Sequence, residues 1–358
     1  MHINNLELVQ FRNYRHFTID FDRGINILIG DNAQGKTNII EAIYFLSVCK
    51  SFRTHIHDQM ILFNHDFARV KGNVYSNERN HTLELVFSKD SKKAKVDGKD
   101  ILKISDYVGY LNVVVFVPDD LSLVKGSPSN RRKFMDLELS KISPIYAFYI
   151  AKFNRLLKER NQYLKMIARN AKYDLYLETL DEQLVEVQTK IIEKRRDFIN
   201  KLSLKANDIY LSLASKDKSL EIKYLCFTKD IDKMLDLYRK SFSKDIKYLS
   251  TSEGIHKEDM KIYIDGKDVH QYASQGQQRS IVLSLKIALL ELIKEEIGEY
   301  PILLLDDVLS ELDDQRKTKL LDILNNKIQT FITTTSIDGI DHQVINEAKK
   351  IMINRREE

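Results

Sequence analysis

Gly30-Asp31-Asn32-Ala33-Gln34-Gly35-Lys36-Thr37 has the spacing G-x-x-x-x-G-K-T of a phosphate-binding P-loop. Before it, residues 25–29 read Ile-Asn-Ile-Leu-Ile, a short apolar run suited to a buried strand. After it, residues 38–46 have helical spacing. Strand, Gly-rich turn and helix, in that order, is the context the motif needs. Gly30 and Gly35 let backbone N–H groups close around phosphate oxygens without a Cβ in the way. The helix N-terminus adds partial positive charge. Lys36 is placed for the β- and γ-phosphates and Thr37 for Mg²⁺. The plain alternative is a chance match in a helix-entry turn, and the flanking strand and helix argue against it.

Two later stretches complete the pattern. Residues 301–307, Pro-Ile-Leu-Leu-Leu-Asp-Asp, read as a buried strand ending in two carboxylates, the Walker B pattern. At the C-terminal end of a parallel strand, Asp306 stands beside the P-loop and can hold Mg²⁺ or its water. Asp307 is then the candidate to orient or deprotonate the attacking water; its bland reading is a helix cap or a supporting carboxylate. Ser274-Gln275-Gly276-Gln277-Gln278-Arg279 leads a long apolar-periodic helix, expected over 277–297. Ser, Gly and a helix N-terminus make a further anion site. One nucleotide hardly needs two such helix ends from one chain, so the second is useful only to a neighbour's nucleotide. A simple capped helix start is the bland reading, and the local sequence leaves both open.

The chain has 358 residues, 43% hydrophobic and 30% charged, which suits a globular protein of about two domains with a substantial core. Cys49 and Cys226 stand alone, arguing against a disulfide framework or a zinc site. No apolar run reaches the roughly 18–20 residues of a membrane span. Residues 1–5 show no signal peptide. A cytoplasmic, membrane-free protein is the expectation. Net charge is only +4, but residues 125–170 hold 11 Lys/Arg and 3 Asp/Glu. That segment is +8 within a chain otherwise slightly acidic, which suggests a polyanion partner. A solvated Lys-rich helix face explains the composition equally well.

The first 120 residues read as mixed α/β. Strands are expected over 3–11, 16–21, 68–75, 81–87, 94–96 and 111–117, with a hairpin turn at Asp97-Gly98. The middle is helical. Ser143-Pro144 opens a helix to about Ala168, with Ser as cap and Pro in the first turn. A second helix starts near Asp174, where Leu177, Leu180, Leu184, Val187 and Ile191 form a heptad seam that Lys194 interrupts and Phe198 resumes. The pair reads as an antiparallel hairpin with arms of about 40–55 Å, or as two core helices of a compact subdomain. A strand over 220–226 and a helix over 231–249 follow. The α/β pattern then returns with strands over 260–264 and 329–335. The expected division is 1–140, an ATPase lobe's N-terminal part; 141–250, a helical lobe; and 251–358, that ATPase lobe's C-terminal part.

The order of P-loop, helical insertion, Ser-Gln-Gly-Gln signature, Walker B and Ser310-Glu311-Leu312-Asp313 resembles the ABC-type ATPases of chromosome maintenance, and more closely the RecF family. Phe11-Arg12-Asn13-Tyr14, the 30–38 and 41–44 stretches and Lys50-Ser51-Phe52-Arg53-Thr54 carry the match. So do Pro118-Asp119-Asp120-Leu121, Lys125-Gly126-Ser127-Pro128, Arg131-Arg132-Lys133-Phe134, 274–279 and 303–313. The match covers essentially the full length. The resemblance implies an ABC-type P-loop ATPase head of α/β class with a mixed sheet, plus a helical, short coiled-coil-like second lobe. It implies ATP and Mg²⁺ as ligands. Arg12, Gly30, Asp31, Asn32, Ala33, Gln34, Gly35, Lys36, Thr37 and Asn38 would face the nucleotide. Thr37 and Asp306 would hold Mg²⁺, and Lys36, Asp306 and Asp307 would serve catalysis. Ser274, Gly276 and Gln277 would face a second subunit's nucleotide, with Asp313 in the loop that crosses the dimer.

The family resemblance further implies slow ATP hydrolysis, an ATP-dependent homodimer, and binding to gapped, junction or duplex DNA. RecO, RecR and RecA would be partners in recombinational repair. Arg131, Arg132, Lys133, Lys152 and Arg155 are the candidate DNA contacts. Two departures stand out. Pro118-Asp119-Asp120 replaces the Gln that lines many ABC sites, and Thr333-Thr334-Thr335 stands where many have a switch His. A Thr, or Gln34, is the expected substitute. A transporter's ATPase subunit shares the nucleotide motifs, but the heptad hairpin and basic segment suit DNA better. A chromosome-organising protein with long arms is disfavoured by the short insertion.

Overall fold

The computed structural model describes residues 1–213, 218–228, 230–324, 327–336 and 343–354. The chain forms two compact units: one of residues 1–120, 212–216 and 283–358, the other of 121–211 and 217–282. The cuts fall at 120 and 282 rather than at the expected 140 and 250. The reason is local: helix Pro128–Ile142 packs on helix Pro144–Ile167 and on strand Asp259–Ile264, and so belongs with them.

The first unit holds two sheets with the P-loop helix, Lys36–Val48, packed on strands of both. One sheet has six strands, all its neighbours antiparallel, in the order Tyr14–Asp20, His2–Phe11, Phe67–Ser76, Arg79–Ser88, Lys92–Val96, Lys99–Ile101. Its strands alternate buried and half-buried residues, as a one-sided sheet must. Asp97 and Gly98 both have positive φ, 51° and 78°, which a tight two-residue hairpin requires. The other sheet is parallel, in the order Lys349–Met352, Ile25–Ile29, Thr330–Thr334, Ile302–Leu305, Val113–Phe116. Its middle three strands and Val113–Phe116 are buried throughout, which explains their unbroken apolar runs. The P-loop strand and the Walker B strand are therefore not neighbours. Thr330–Thr334 runs between them, and Leu305 and Ile29 pair with its residues Ile332 and Thr334.

In the second unit, helices Pro144–Ile167 and Leu175–Leu213 are antiparallel. Arg160 reaches Asp181, and Tyr146 reaches Arg195, so each contact's residue numbers have the same sum. The expected seam is buried at Leu177, Leu180, Leu184, Val187, Ile191 and Phe198. Lys194 does not interrupt it, because Arg195 fills the position, 1% exposed and paired with Asp136. The arms are unequal: 24 and 39 residues, about 36 and 58 Å long. The longer one continues past Tyr146's partner Arg195 and runs along a three-stranded sheet, Lys267–Asp268, Asp259–Ile264, Leu220–Leu225. There Ser203 Oγ accepts the N–H of Ile222, and Asn207 Oδ1 that of Leu220. Two side chains one helical turn apart thus occupy backbone donors on that sheet's outer strand.

Candidate nucleotide site

The P-loop lies between the end of strand Ile25–Ile29 and helix Lys36–Val48. Gly35 has φ +107°, open to glycine and strained for other residues. Gly30 has a further reason to be small besides the expected approach of phosphate. A Cβ there would lie 2.3 Å from the carbonyl oxygen of Ile353, whose N–H closes onto Ile29. Lys36 Nζ donates to the carbonyls of Gly30 at 2.6 Å and Asp31 at 2.8 Å, inside the loop. Burial lowers its pKa, and the charges of Asp307, Asp306 and Asp31 oppose the shift. Gln34 braces the loop, accepting the Asp31 N–H and donating to its carboxylate. Asn38 N–H bonds back to Gly35, but no protein acceptor is recorded for the N–H groups of residues 32–37 among the described residues. A run of unspent donors at a helix N-terminus beside a held ammonium fits a polyphosphate.

The carboxylates stand across from the loop. Asp306 Oδ1 accepts the hydroxyls of Thr37 and Thr333, each at 2.9 Å. Thr333 Oγ1 in turn accepts the N–H of Asp307 at 2.8 Å. Burial raises the Asp306 pKa; the Thr333 and Thr37 hydroxyls oppose this and Asp307's charge adds to it. A hydroxyl and a carboxylate already in contact form the all-oxygen donor set that Mg²⁺ takes. Asp307 is exposed and sits at φ 54°, a left-handed conformation that Asp tolerates better than most residues. Thr333 thus stands at the switch position and ties both acids together. Asp120, near the expected Gln, is a structural residue: it caps Val117 N–H and pairs with buried Lys286.

A network missed in the sequence lies behind the helix. Glu41 is fully buried, the single acid in Lys36–Val48. It accepts Arg12 Nε and Nη2 at 2.8 and 2.6 Å, Ser51 Oγ at 2.5 Å and Arg53 Nη1 at 3.2 Å. Arg12 Nη1 also donates to the Gln59 carbonyl. Arg12, expected near the nucleotide, is thus anchored to the P-loop helix through Glu41. Arg53 is the more exposed of the two, bonds Asn38 Oδ1, and its charge acts on Asp306. A lone Glu on an otherwise apolar helix was the available signal.

Ser274, Gly276 and Gln277 lie in the other unit, at the start of helix Gln275–Ile297. Ser274 Oγ accepts the Gln277 N–H, and Gln277 Oε1 accepts the Ser274 N–H, a reciprocal capping box. Ser274 and Gln275 are exposed. Asp313 caps its own turn through Arg316.

The candidate DNA residues divide. Arg131 is 8% exposed and bidentate on Asp259, and its Nη1 donates to the Gly126 carbonyl. Its charge is paired with Asp259 within the fold, which corrects its expected role as a phosphate contact. Arg132 is half-buried and donates to the Glu258 carbonyl. Lys141 and Arg160, counted in the basic segment, are also spent on buried acids. Lys133 and Arg155 are exposed and Lys152 half-buried.

This fold and site define a P-loop ATPase head of the ABC and SMC type. Residues 2–356 match the family described as RecF/RecN/SMC N terminal domain. The chain is 44% identical over 358 residues to the DNA replication and repair protein RecF of Bacillus subtilis (strain 168), covering 97% of each. It is 41% identical to that of Staphylococcus aureus (strain bovine RF122 / ET3-1), covering 100% of this chain and 99% of the relative. The chain belongs to the RecF family. A solved structure of the recombination mediator protein RecF with ATP in the RecFOR pathway superposes with TM-score 0.89 at 35% identity, over 95% of this chain and 93% of that one. An Smc head domain derived from Pyrococcus furiosus, at 18% identity and TM-score 0.58, shares the fold. Among the described residues, no helix is long and apolar enough to cross a membrane, and no cluster of His, Cys, Asp or Glu forms a metal site.

Proposed function

We propose that the chain is an ATP-dependent DNA-binding protein of recombinational repair and replication. It binds ATP at the P-loop, dimerises on it, hydrolyses it slowly, and with RecO and RecR helps load RecA at gapped DNA. The observation that carries the reading is the hydrogen-bonded chain Thr37–Asp306–Thr333–Asp307 beside the P-loop, in a RecF-family chain. Thr37 and Asp306 would hold Mg²⁺, which neutralises charge on the reacting phosphates. Lys36 binds phosphate, and Asp307 orients the attacking water. Asp307 is one methylene shorter than the Glu usual in ABC ATPases. The expected turnover therefore lies well below the enzyme median of about 10 s⁻¹. Slow turnover suits a timer rather than a motor.

Exposed Ser274 and its helix start serve the γ-phosphate of a second copy, placed head to tail about a twofold axis. ATP favours that dimer because only the dimer completes its phosphate contacts. Ser274→Arg is expected to leave ATP binding within about threefold and to abolish both ATP-driven dimerisation and turnover. Sedimentation with ATP and Mg²⁺ against ADP, with phosphate release from the same samples, is the test. A wild type whose mass ignores nucleotide, or a variant that still dimerises, refutes the shared site.

DNA is held through its phosphates, with little base readout. Replacing Lys133, Lys152 and Arg155 by Ala is expected to flatten the slope of log affinity against log salt by about one unit per lost contact. Arg131→Ala should instead lower stability. An unchanged slope in the triple variant moves the DNA site elsewhere.

A further inference from the structure

Tyr14 opens strand Tyr14–Asp20, one turn after Arg12, whose positive φ of 54° is locked by the Glu41 ion pair. Its ring packs on Phe17, centroids 4.6 Å apart. Its hydroxyl is buried and has no hydrogen-bond partner among the described residues. Buried polar groups are nearly always paired, so an orphan hydroxyl at a functional site points to a partner that arrives from outside. The place is specific. A Cβ built on Gly35 would lie 2.6 Å from the Tyr14 hydroxyl and 2.9 Å from Asn13 Nδ2. The hydroxyl therefore lies against the Gly35 turn of the P-loop. Asn13 is held there by Asn38, which donates to its Oδ1. Burial raises the phenol's pKa further, so the group stays a protonated donor across the working range.

We infer that the Tyr14 hydroxyl donates a hydrogen bond to a phosphate common to ATP and ADP as it seats in the P-loop. Tyr14 is then a nucleotide-binding residue in addition to the loop itself, and the inference rests on the ATP reading above. The contact belongs to the proximal phosphates because it is made at Gly35, in the turn just before Lys36, whereas Asp306 and Thr333 lie toward the reacting end.

Tyr14→Phe isolates the hydroxyl, since Phe keeps the packing on Phe17. Equilibrium binding of ATP and of ADP is measured for wild type, Tyr14→Phe and Lys36→Met, with melting of each nucleotide-free protein. Tyr14→Phe is expected to weaken both nucleotides by the same factor, about tenfold, as befits one bond to a charged acceptor. Its nucleotide-free melting temperature should not fall, because removing an unpaired buried hydroxyl costs the free protein nothing. ATP and ADP affinities within twofold of wild type overturn the inference, as does a loss confined to ATP, or a lowered melting temperature without nucleotide. A wild type that binds neither nucleotide overturns the ATP reading itself, which separates the two failures.

Discussion

Lys36→Met is expected to weaken ATP binding by at least about a hundredfold. Lys36 is 8% exposed, and its ammonium is held at the loop by two backbone carbonyls, which leaves one donor for phosphate. A hydrogen bond to a charged group contributes about 1.5–3 kcal/mol, and the charge itself adds more in a site partly shut from water. Met keeps most of the stem's packing and loses both. Asp306→Asn should differ in kind: it removes the charge opposite Thr37, so the loss should appear chiefly with Mg²⁺ present. Titration with a fluorescent ATP analogue, with and without Mg²⁺, separates them. Equal affinity for wild type and Lys36→Met would sink the assignment of the loop.

Arg160→Met is expected to destabilise the helical unit by about 3–5 kcal/mol, the cost of stranding buried charge. Arg160 is fully buried and donates to Asp181 at 2.5 Å, Asp245 at 2.7 Å and Thr251 at 2.9 Å, with its guanidinium 4.9 Å from the Tyr238 ring centroid. Without it two buried carboxylates face each other. Burial already raises the Asp181 pKa with the arginine in place. In the variant the folded state holds its protons above the unfolded carboxyl value, so folding takes up protons. Stability then falls as pH rises and recovers as pH falls toward the unfolded carboxyl pKa near about 4. Denaturant unfolding at pH 7 and pH 5, read by hydrogen exchange within residues 121–282, checks both. A variant within about 1 kcal/mol of wild type at pH 7 would show that the cluster is not the unit's electrostatic centre.

The same chemistry explains what the sequence shows and what it hides. The P-loop strand, the Walker B strand and the seam of the long helix are legible because their buried residues are apolar and regularly spaced. Helix Pro128–Ile142 is hidden because its buried face includes Arg131, Glu138 and Lys141, residues a pattern reader assigns to water. Each is paired, Arg131 with an acid 128 positions away, and no local window contains that partner. Arg195 was hidden behind Lys194 for the same reason. The Ser127-Pro128 start is identical to the Ser143-Pro144 start that predicts the next helix. Strand Lys349–Met352 is an edge strand whose two lysines dilute its apolar signal. At the site, the motifs identified the loop and the acids, but Thr333 as the bond between the two acids needed the strand order.

The side chains of Ser203 and Asn207 on the outer strand of the small sheet bear on how this molecule meets copies of itself. A six-residue strand with free amides is a template for any passing chain, and such templates recruit partners at all times. Here two of those amides, of Leu220 and Ile222, are taken from within, and the sheet's opposite margin, Lys267–Asp268, is only two residues long. Both margins of the small sheet are therefore poor templates for pairing with another chain. For the ATP-driven pairing proposed above, that matters, because each accidental dimer would read as a false signal.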